Sequence, residues 1–394
     1  MKNRKNFVET DMSPEVKAYA VIHPLGFSAE DVFDSVVRGK SGLKKIERDF
    51  LANPVYAACF TDEQNRRLKS LCPVEGWNRF EQLIWAAGKE VLEKSEITPD
   101  DRVLFVIATT KGGIEDVENS PDNLIIHLSV KRVIDRLLFT YRDRVGEGAP
   151  VYIVSNACIS GLSAIMAGKR FLEAQNRDYA IIIGADTVND FVLSGFNSLF
   201  ALDSLPCRPF DRSRNGINLG EGAAAVVLHR NGHRDKCRAG SGIYLTGGAI
   251  TNDANHISGP SRTGLELAEA IRRAVSATNN EAKFDFLSAH GTATIYNDEM
   301  ESRAFAAAGV ADIPIHSLKP CLGHTLGAAG VMESVICIRS LVDNILIPSS
   351  GYSENGTSNK LNIQTAPEHR EITRFIKTMS GFGGCNAAVC FEKR

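Results

Sequence analysis

Cys158 lies in the stretch SNACISG, between an apolar run that reads as a strand, Val151–Ser155, and a run with apolar residues at helical spacing, Cys158–Ala174. A thiol at such a junction meets unpaired amide groups and the positive end of a helix dipole. Both stabilise thiolate, so the expectation is a lowered pKa and a nucleophile on a strand–turn–helix elbow. Gly161, one turn on, takes bulk away from the thiol. The alternative is one more small buried hydrophobe among nine cysteines. Two histidines are candidate partners. His290, in SAHGTATIYND, follows the apolar strand Phe284–Ala289, and His324, in SLKPCLGHTLGAAGVMES, sits where Gly323 and Gly327 bracket a helix start. Strand C-terminal ends in open α/β sheets are where ligands bind; a loop histidine without chemistry is the plain alternative. Lys319 and Glu333 flank His324, either as an orienting charged pair or as a surface lysine and a helix glutamate. The turn Phe382-Gly383-Gly384-Cys385-Asn386 could lay backbone N–H groups along a developing oxyanion, or be only a tight turn. Lys111-Gly112-Gly113 and Gly220-Glu221-Gly222 are comparable, and none of the three is a P-loop or a dinucleotide fingerprint.

The elements that must hold these residues alternate short apolar runs with helical patterns, the signature of α/β architecture. Arg102–Thr109, Ala180–Ala185, Ala223–Leu228, Ile313–Ser317 and Ala387–Phe391 read as further strands, and His324–Leu341 as a helix. Strands this apolar are expected to be covered on both faces. The second half repeats the first. CISGLSAIM from Cys158 aligns with HTLGAAGVM from His324, setting Gly161 on Gly327, Ile165 on Val331 and Met166 on Met332. GAAAVVL from Gly222 aligns with NAAVCF from Asn386. Two matches in the same chain order indicate a duplicated α/β unit. The polar connection Asn231–Ser241 divides it into residues 1–235, carrying the cysteine, and 236–394, carrying both histidines. Cys158 and His324 then stand at equivalent helix starts, facing each other.

Apolar residues make up 43% of the 394 and charged residues 23%, so the chain can bury a core that needs no disulfide or metal. A net charge of −2 argues against nucleic acid as a partner. The cysteines show no C-x-x-C and no zinc spacing, so no metal is expected and the compartment is reducing. The opening residues are charged, and no apolar run reaches the ~20 residues of a membrane span. The expectation is a cytoplasmic protein.

Five motifs in chain order, SNACISG, RPFDRSRNGINLGEGAAAVVL, AHGTATIYNDEMES, SLKPCLGHTLGAAG and GFGGCNAAV, resemble those of the β-ketoacyl-[acyl-carrier-protein] synthases, and the likeness runs from Gly39 to Glu392. These are the condensing enzymes of fatty-acid and polyketide synthesis. The resemblance implies the duplicated thiolase-like fold, two similar α/β halves with mixed sheets in an α-β-α-β-α layering. It implies the Cys-His-His triad of the elongating branch in Cys158, His290 and His324, with Lys319 and Glu333 in support. Phe382 would be the gate and supply an oxyanion amide, and Thr292 and Thr294 would meet the pantetheine arm. The reaction implied is decarboxylative condensation of an acyl chain on Cys158 with malonyl-carrier protein. The phosphopantetheine arm comes with the acyl carrier protein, so no other cofactor is implied. The partners implied are that carrier protein and a second subunit, either a like chain or a related ketosynthase-like one. Two other readings stand beside it. One is a catalytically silent subunit akin to chain-length factors, against which the presence of Cys158 counts; the other is a thiolase-type acyltransferase using Cys385 as a second thiol. Three departures bear on specificity. KAYAVIHPLGFS replaces the family's opening strand, so strand one is expected to be altered; Ser380 stands where Phe is common; Ile295 stands where Pro is usual. They point to a specialised polyketide-like or polyene chain rather than housekeeping fatty-acid synthesis.

Overall fold

The computed structural model describes residues 13–98, 101–114, 126–145, 148–175, 177–231, 241–278 and 283–394. The expected division at residue 235 lies outside them. In chain order the sheet strands are β1 (Glu15–Ile22), β2 (Val103–Ala108), β3 (Val151–Val154), β4 (Tyr179–Asp186), β5 (Gly222–His229), β6 (Ile243–Asn252), β7 (Phe286–Ser288), β8 (Ile315–His316), β9 (Arg374–Gly381) and β10 (Cys385–Lys393). The helices that matter for the site are α1 (Arg79–Lys94), α2 (Ser160–Ala174), α3 (Asp190–Ser198), α4 (Leu265–Ser276), α5 (Ile295–Ala308) and α6 (Ala329–Asp343). Each apolar run read as a strand is one, and the His324–Leu341 helix begins later, after a short 3₁₀ turn at Leu326–Ala328.

The strands lie in the order β8-β7-β9-β10-β6-β1-β5-β4-β2-β3. This is two mixed five-stranded sets joined edge to edge by one antiparallel pair, Glu15 with Tyr244. Within the first set β2 runs parallel to β3 and β4, while β5 is antiparallel to β4 and β1. Within the second, β7 runs parallel to β8 and β9, while β10 is antiparallel to β9 and β6. Order and direction are the same in both.

Alternation along each strand builds the layers. In β2, Leu104, Val106 and Ala108 face a central core, while Val103, Phe105 and Ile107 face an outer one with Phe80, Leu83 and Ile84 of α1. The central core takes Leu162 and Ile165 of α2, Val331 and Val335 of α6, and Val389 and Phe391 of β10. The next residues of β10, Ala388 and Cys390, face a third core with Leu267 and Ile271 of α4. The result is the expected α-β-α-β-α layering, with α2 and α6 as the middle layer. These two helices touch backbone to backbone. A Cβ on Gly161 would stand 2.6 Å from the Val331 nitrogen, and one on Gly330 2.5 Å from the Leu162 nitrogen. Among the described residues no helix is long and apolar enough to cross a membrane.

Strand one is not altered. β1 pairs with β5 along its length, with one irregularity between Val16 and Ala18. The unusual opening sequence matters in the turn that follows, where the buried His23 ring bonds the Leu322 carbonyl at 3.0 Å.

The helix contact gives a stability prediction. Gly161→Ala forces α2 and α6 apart and should cost about 1–3 kcal/mol, the usual range for overpacking. Denaturant unfolding checks it, and an unchanged midpoint would mean that the helices part without loss.

Candidate active site

Cys158 follows the last residues of β3 through a turn tied by Ser160, whose hydroxyl accepts from the Asn156 amide at 2.8 Å and donates to the Ala157 carbonyl at 2.6 Å. Ala157 has φ +43°, a left-handed value that costs an alanine strain and persists where the surroundings fix it. α2 starts at Ser160 with Ile159 as its N-cap, so Cys158 lies just ahead of the helix and not on it. The expected lowering of its pKa is overturned. Burial pushes the thiol up to about 12 and the neighbouring Cys385 adds to this, while Lys319 and the Phe382 amide pull the other way. Loss of water outweighs both.

His290 is carried past the end of β7 on a loop that two carboxylates of α5 hold from behind. Glu301 accepts the amides of His290 at 2.9 Å and Gly291 at 2.7 Å. Asp298 accepts those of Thr292 at 3.1 Å and Ala293 at 3.2 Å. The loop needs such support because Gly291 and Ala293 have φ of +48° and +62°. Burial pushes Asp298 up to about 6 and Glu301 up to about 7. Sequence reasoning missed both. Their signal was a pair of acids one turn apart on the helix that follows HGTAT.

His324 belongs to a turn gripped by the first half of the chain. The Ser41 hydroxyl donates to the Pro320 carbonyl at 2.7 Å and the Gly42 amide to the Cys321 carbonyl at 2.8 Å. The His324 amide donates to the Asn218 carbonyl at 2.8 Å, and its carbonyl accepts from Gly220 at 2.9 Å. The Gly220-Glu221-Gly222 turn is therefore part of the scaffold that holds His324.

These elements bring the three predicted residues together. The Cys158 sulfur and a ring nitrogen of each histidine lie within 4.8 Å of one another. The two imidazoles meet edge to face, centroids 5.1 Å apart at 82°. Neither nitrogen of His324, nor Nδ1 of His290, has a hydrogen-bond partner among the described residues. Burial, and after it the Lys319 charge, holds both rings far below the usual histidine range, so both are neutral at physiological pH. A neutral ring keeps one N–H to donate. The cluster is also the one group among the described residues with the ligand types and spacing for a metal, and the lysines beside it oppose a dication.

Lys319 and Glu333 are not surface residues. Their side chains are 0% and 1% exposed and bond at 2.7 Å. The sequence reading missed the third member, Lys377 of β9, whose Nζ donates to Glu333 at 2.5 Å and to the Ala289 carbonyl at 3.0 Å. Its signal was a lysine inside an apolar strand. Burial alone would raise the Glu333 pKa, but the two lysines beside it hold it below the usual carboxylate range.

A cavity of about 430 Å³ leads to the triad. Thr292 and Thr294 form part of its wall, their hydroxyls 2.9 Å apart. Phe382, at 38% exposure, stands at its mouth stacked on Phe196, centroids 5.8 Å apart. Ser380 and Asn386, a cross-strand pair joined at 2.8 Å, line its buried end. Ile295, the first residue of α5, lies half-exposed on the lip. Cys385 is not among the residues that line the cavity; its thiol bonds the Phe382 carbonyl at 3.3 Å and is pushed up to about 11.

The thiol's position sets an expectation for titration. Because its pKa is raised, thiolate should keep accumulating as pH rises, and alkylation of Cys158 by iodoacetamide should accelerate up to about pH 10. A plateau near pH 7 would show a thiol already ionised.

The comparisons with known proteins agree with this geometry. The "Beta-ketoacyl synthase, N-terminal domain" family matches residues 15–233, and the "Beta-ketoacyl synthase, C-terminal domain" family matches residues 244–353. A 3-oxoacyl-[acyl-carrier-protein] synthase 2 from Vibrio harveyi is 28% identical over 96% of this chain and 98% of its own. The tetracenomycin polyketide synthase ketoacyl synthase alpha subunit from Streptomyces glaucescens is 28% identical over 80% of this chain and 82% of its own. A ketosynthase in complex with its chain length factor from Xenorhabdus doucetiae shares the fold with a TM-score of 0.80 at 23% identity, over the whole of both chains. Two matched family domains covering most of the sequence, on a fold that brings a cysteine and two histidines into one cavity, make the chain a member of the β-ketoacyl synthase family.

Proposed function

We propose that the protein elongates acyl chains by decarboxylative condensation with malonyl-carrier protein, using Cys158 as the acyl-holding nucleophile and His290 and His324 as the groups that stabilise the enolate. The observation that carries this reading is the pair of buried, neutral imidazoles with unpartnered ring nitrogens beside a buried thiol. In the first half-reaction the Cys158 sulfur attacks the thioester of an incoming acyl chain; the carrier's sulfur leaves with the thiol proton. In the second, the bond from the malonyl carbon to its carboxylate breaks, CO₂ departs, and the electron pair becomes an enolate whose oxygen accepts N–H bonds from the two imidazoles. Such donors are worth most in a site without water. The enolate carbon then attacks the acyl-Cys158 carbonyl. The oxyanion there meets the amides of Cys158 and Phe382, and its collapse releases the thiolate and the β-ketoacyl product. Burial, and after it the charge of Lys319, keeps the histidines unprotonated, and Glu333 holds Lys319 in place.

The phosphopantetheine arm of an acyl carrier protein supplies the thioester and enters past Phe382, Thr292 and Thr294. We read residues 1–235 and 236–394 as the two structural units, and the cytoplasm as the place of action. The second subunit, a like chain or a related one, takes the edge strand β3. Among the described residues that strand pairs with β2 alone, and it exposes Val151 and Ile153, each at 37%. An unsatisfied strand edge with apolar side chains is a template for a partner.

Incubation with acyl- and malonyl-carrier proteins, followed by mass spectrometry, tests the reading. The acyl mass should appear on the Cys158 peptide; label on Cys385 or Cys321 with Cys158 free would overturn it. Cys158→Ala should lose elongation and keep malonyl decarboxylation. His290→Ala and His324→Ala should each lower decarboxylation by roughly 10²-fold, the effect of removing one oxyanion donor.

The buried end of the cavity sets chain choice. Ser380→Phe replaces a small polar side chain by an aromatic one beside Phe382, and should shift the acyl profile in a graded way, by about 1–3 kcal/mol between chains. Elongation rates over short, long and unsaturated acyl carriers measure it; an identical profile would remove Ser380 from the specificity determinants.

A further inference from the structure

His324 poses a problem of position. Its ring nitrogens bond nothing among the described residues, so no hydrogen bond from a side chain aims the imidazole. The ring is aimed by its edge-to-face packing on His290 and by the backbone that carries it. That backbone is strained two residues on, where Leu326, 3% exposed, has φ +53°, a left-handed value that a branched apolar residue avoids. Strain of this kind persists only where neighbouring contacts over-determine it. On one side of Leu326 the hold is the pair of bonds from His324 to Asn218 and Gly220. On the other side the short turn closes on itself, the Ala328 amide donating to the Thr325 carbonyl at 3.0 Å, and the bond that ties it to the rest of the fold runs from the Gly327 amide to Oδ2 of Asp186, at 2.7 Å.

Asp186 ends β4 and is fully buried. Its carboxylate is fixed in turn by the loop after β2. Oδ1 accepts from the Thr109 hydroxyl at 2.8 Å and the Lys111 ammonium at 3.0 Å. Oδ2 accepts from the Thr110 amide at 3.0 Å and the Thr110 hydroxyl at 2.8 Å. The Lys111 side chain is 10% exposed and balances the charge. The approach is close: a Cβ on Gly327 would lie 2.7 Å from Oδ2 and 2.8 Å from the Thr109 Cα, and one on Gly184 3.0 Å from the Ala328 Cα. None of these residues lines the cavity wall. The Lys111-Gly112-Gly113 turn, which the proposed chemistry leaves without a task, thus supplies a cation to a carboxylate that grips the His324 turn. A charge-assisted bond from a carboxylate to a backbone amide is among the stronger single contacts available.

We propose that Asp186, neutralised by Lys111, is a positioning residue for the decarboxylation step: through Gly327 it holds the strained turn at Leu326 and so aims the His324 ring at the enolate oxygen. The inference rests on the proposed condensation chemistry. It separates the two half-reactions, because acyl transfer to Cys158 uses the turn before α2 and the Phe382 amide, and enolate formation uses His324.

The test is Asp186→Asn in the full-length protein, with the two steps measured apart. Decarboxylation of malonyl-carrier protein should lose roughly 10²-fold in kcat with KM little changed, the scale of an ångström of misplacement. The rate of Cys158 acylation, followed by mass spectrometry, should stay within about three-fold of wild type. Gly327→Ala, which pushes a methyl group onto Oδ2 while leaving the carboxylate charged, should give the same separation and serves if Asp186→Asn does not fold. A parallel fall of both steps with the melting temperature would make Asp186 a structural residue only. Decarboxylation at the wild-type rate in both variants would also overturn the proposal. Wild-type protein that neither acylates nor decarboxylates would instead sink the condensation reading itself.

Discussion

The site depends on one buried carboxylate held between two ammonium groups. Glu333 lies inside α6, Lys319 opens the turn that leads to His324, and Lys377 sits in mid-strand and also bonds the carbonyl of Ala289, the residue before His290. The trio therefore touches the supports of both histidines at once. Buried charges of this kind add little net stability, and breaking the set leaves one of them uncompensated. What the trio supplies is lysine charge beside both histidines in a region without water. Desolvation, and after it the Lys319 charge, keeps two imidazoles neutral within 4.8 Å of a thiol. A protonated imidazole there would pair with the thiolate, and the oxygen of an incoming thioester would lose one of its donors.

The raised thiol pKa follows from the same economy of water. Lys319 and the Phe382 amide both favour the thiolate, yet burial wins. On the proposed chemistry, the charge that forms on the thioester oxygen would be met by the amides of Cys158 and Phe382.

Much of this was legible in the sequence, for definable reasons. The strands were visible because both faces of each are buried, which leaves runs such as VLFVIA and AIIIGA with no polar interruption. The triad was visible because each member sits among glycines at the end of an element. Two kinds of information were hidden. The thiol's ionisation could not be read from local context, since the burial that decides it comes from residues far away in the chain. The second-rank charges, Asp298, Glu301, Lys377 and Asp186, were hidden because a buried charge on an amphipathic helix or a strand end looks like a solvated one until its partners are placed. The altered opening sequence misled in the other direction. Its strand pairs with β5 along its length with one irregularity, and His23 shows its worth only against Leu322, on the far side of the fold.

The edge strand β3 has a consequence for assembly. It ends at Val154, and the acyl-carrying sulfur is only a turn away at Cys158. The left-handed Ala157 and the Ser160 bonds shape that turn. A neighbour that extends the sheet at Val151 and Ile153 is thereby placed next to the wall behind the thioester. On the proposed pairing, the companion subunit would help to shape the space behind Cys158.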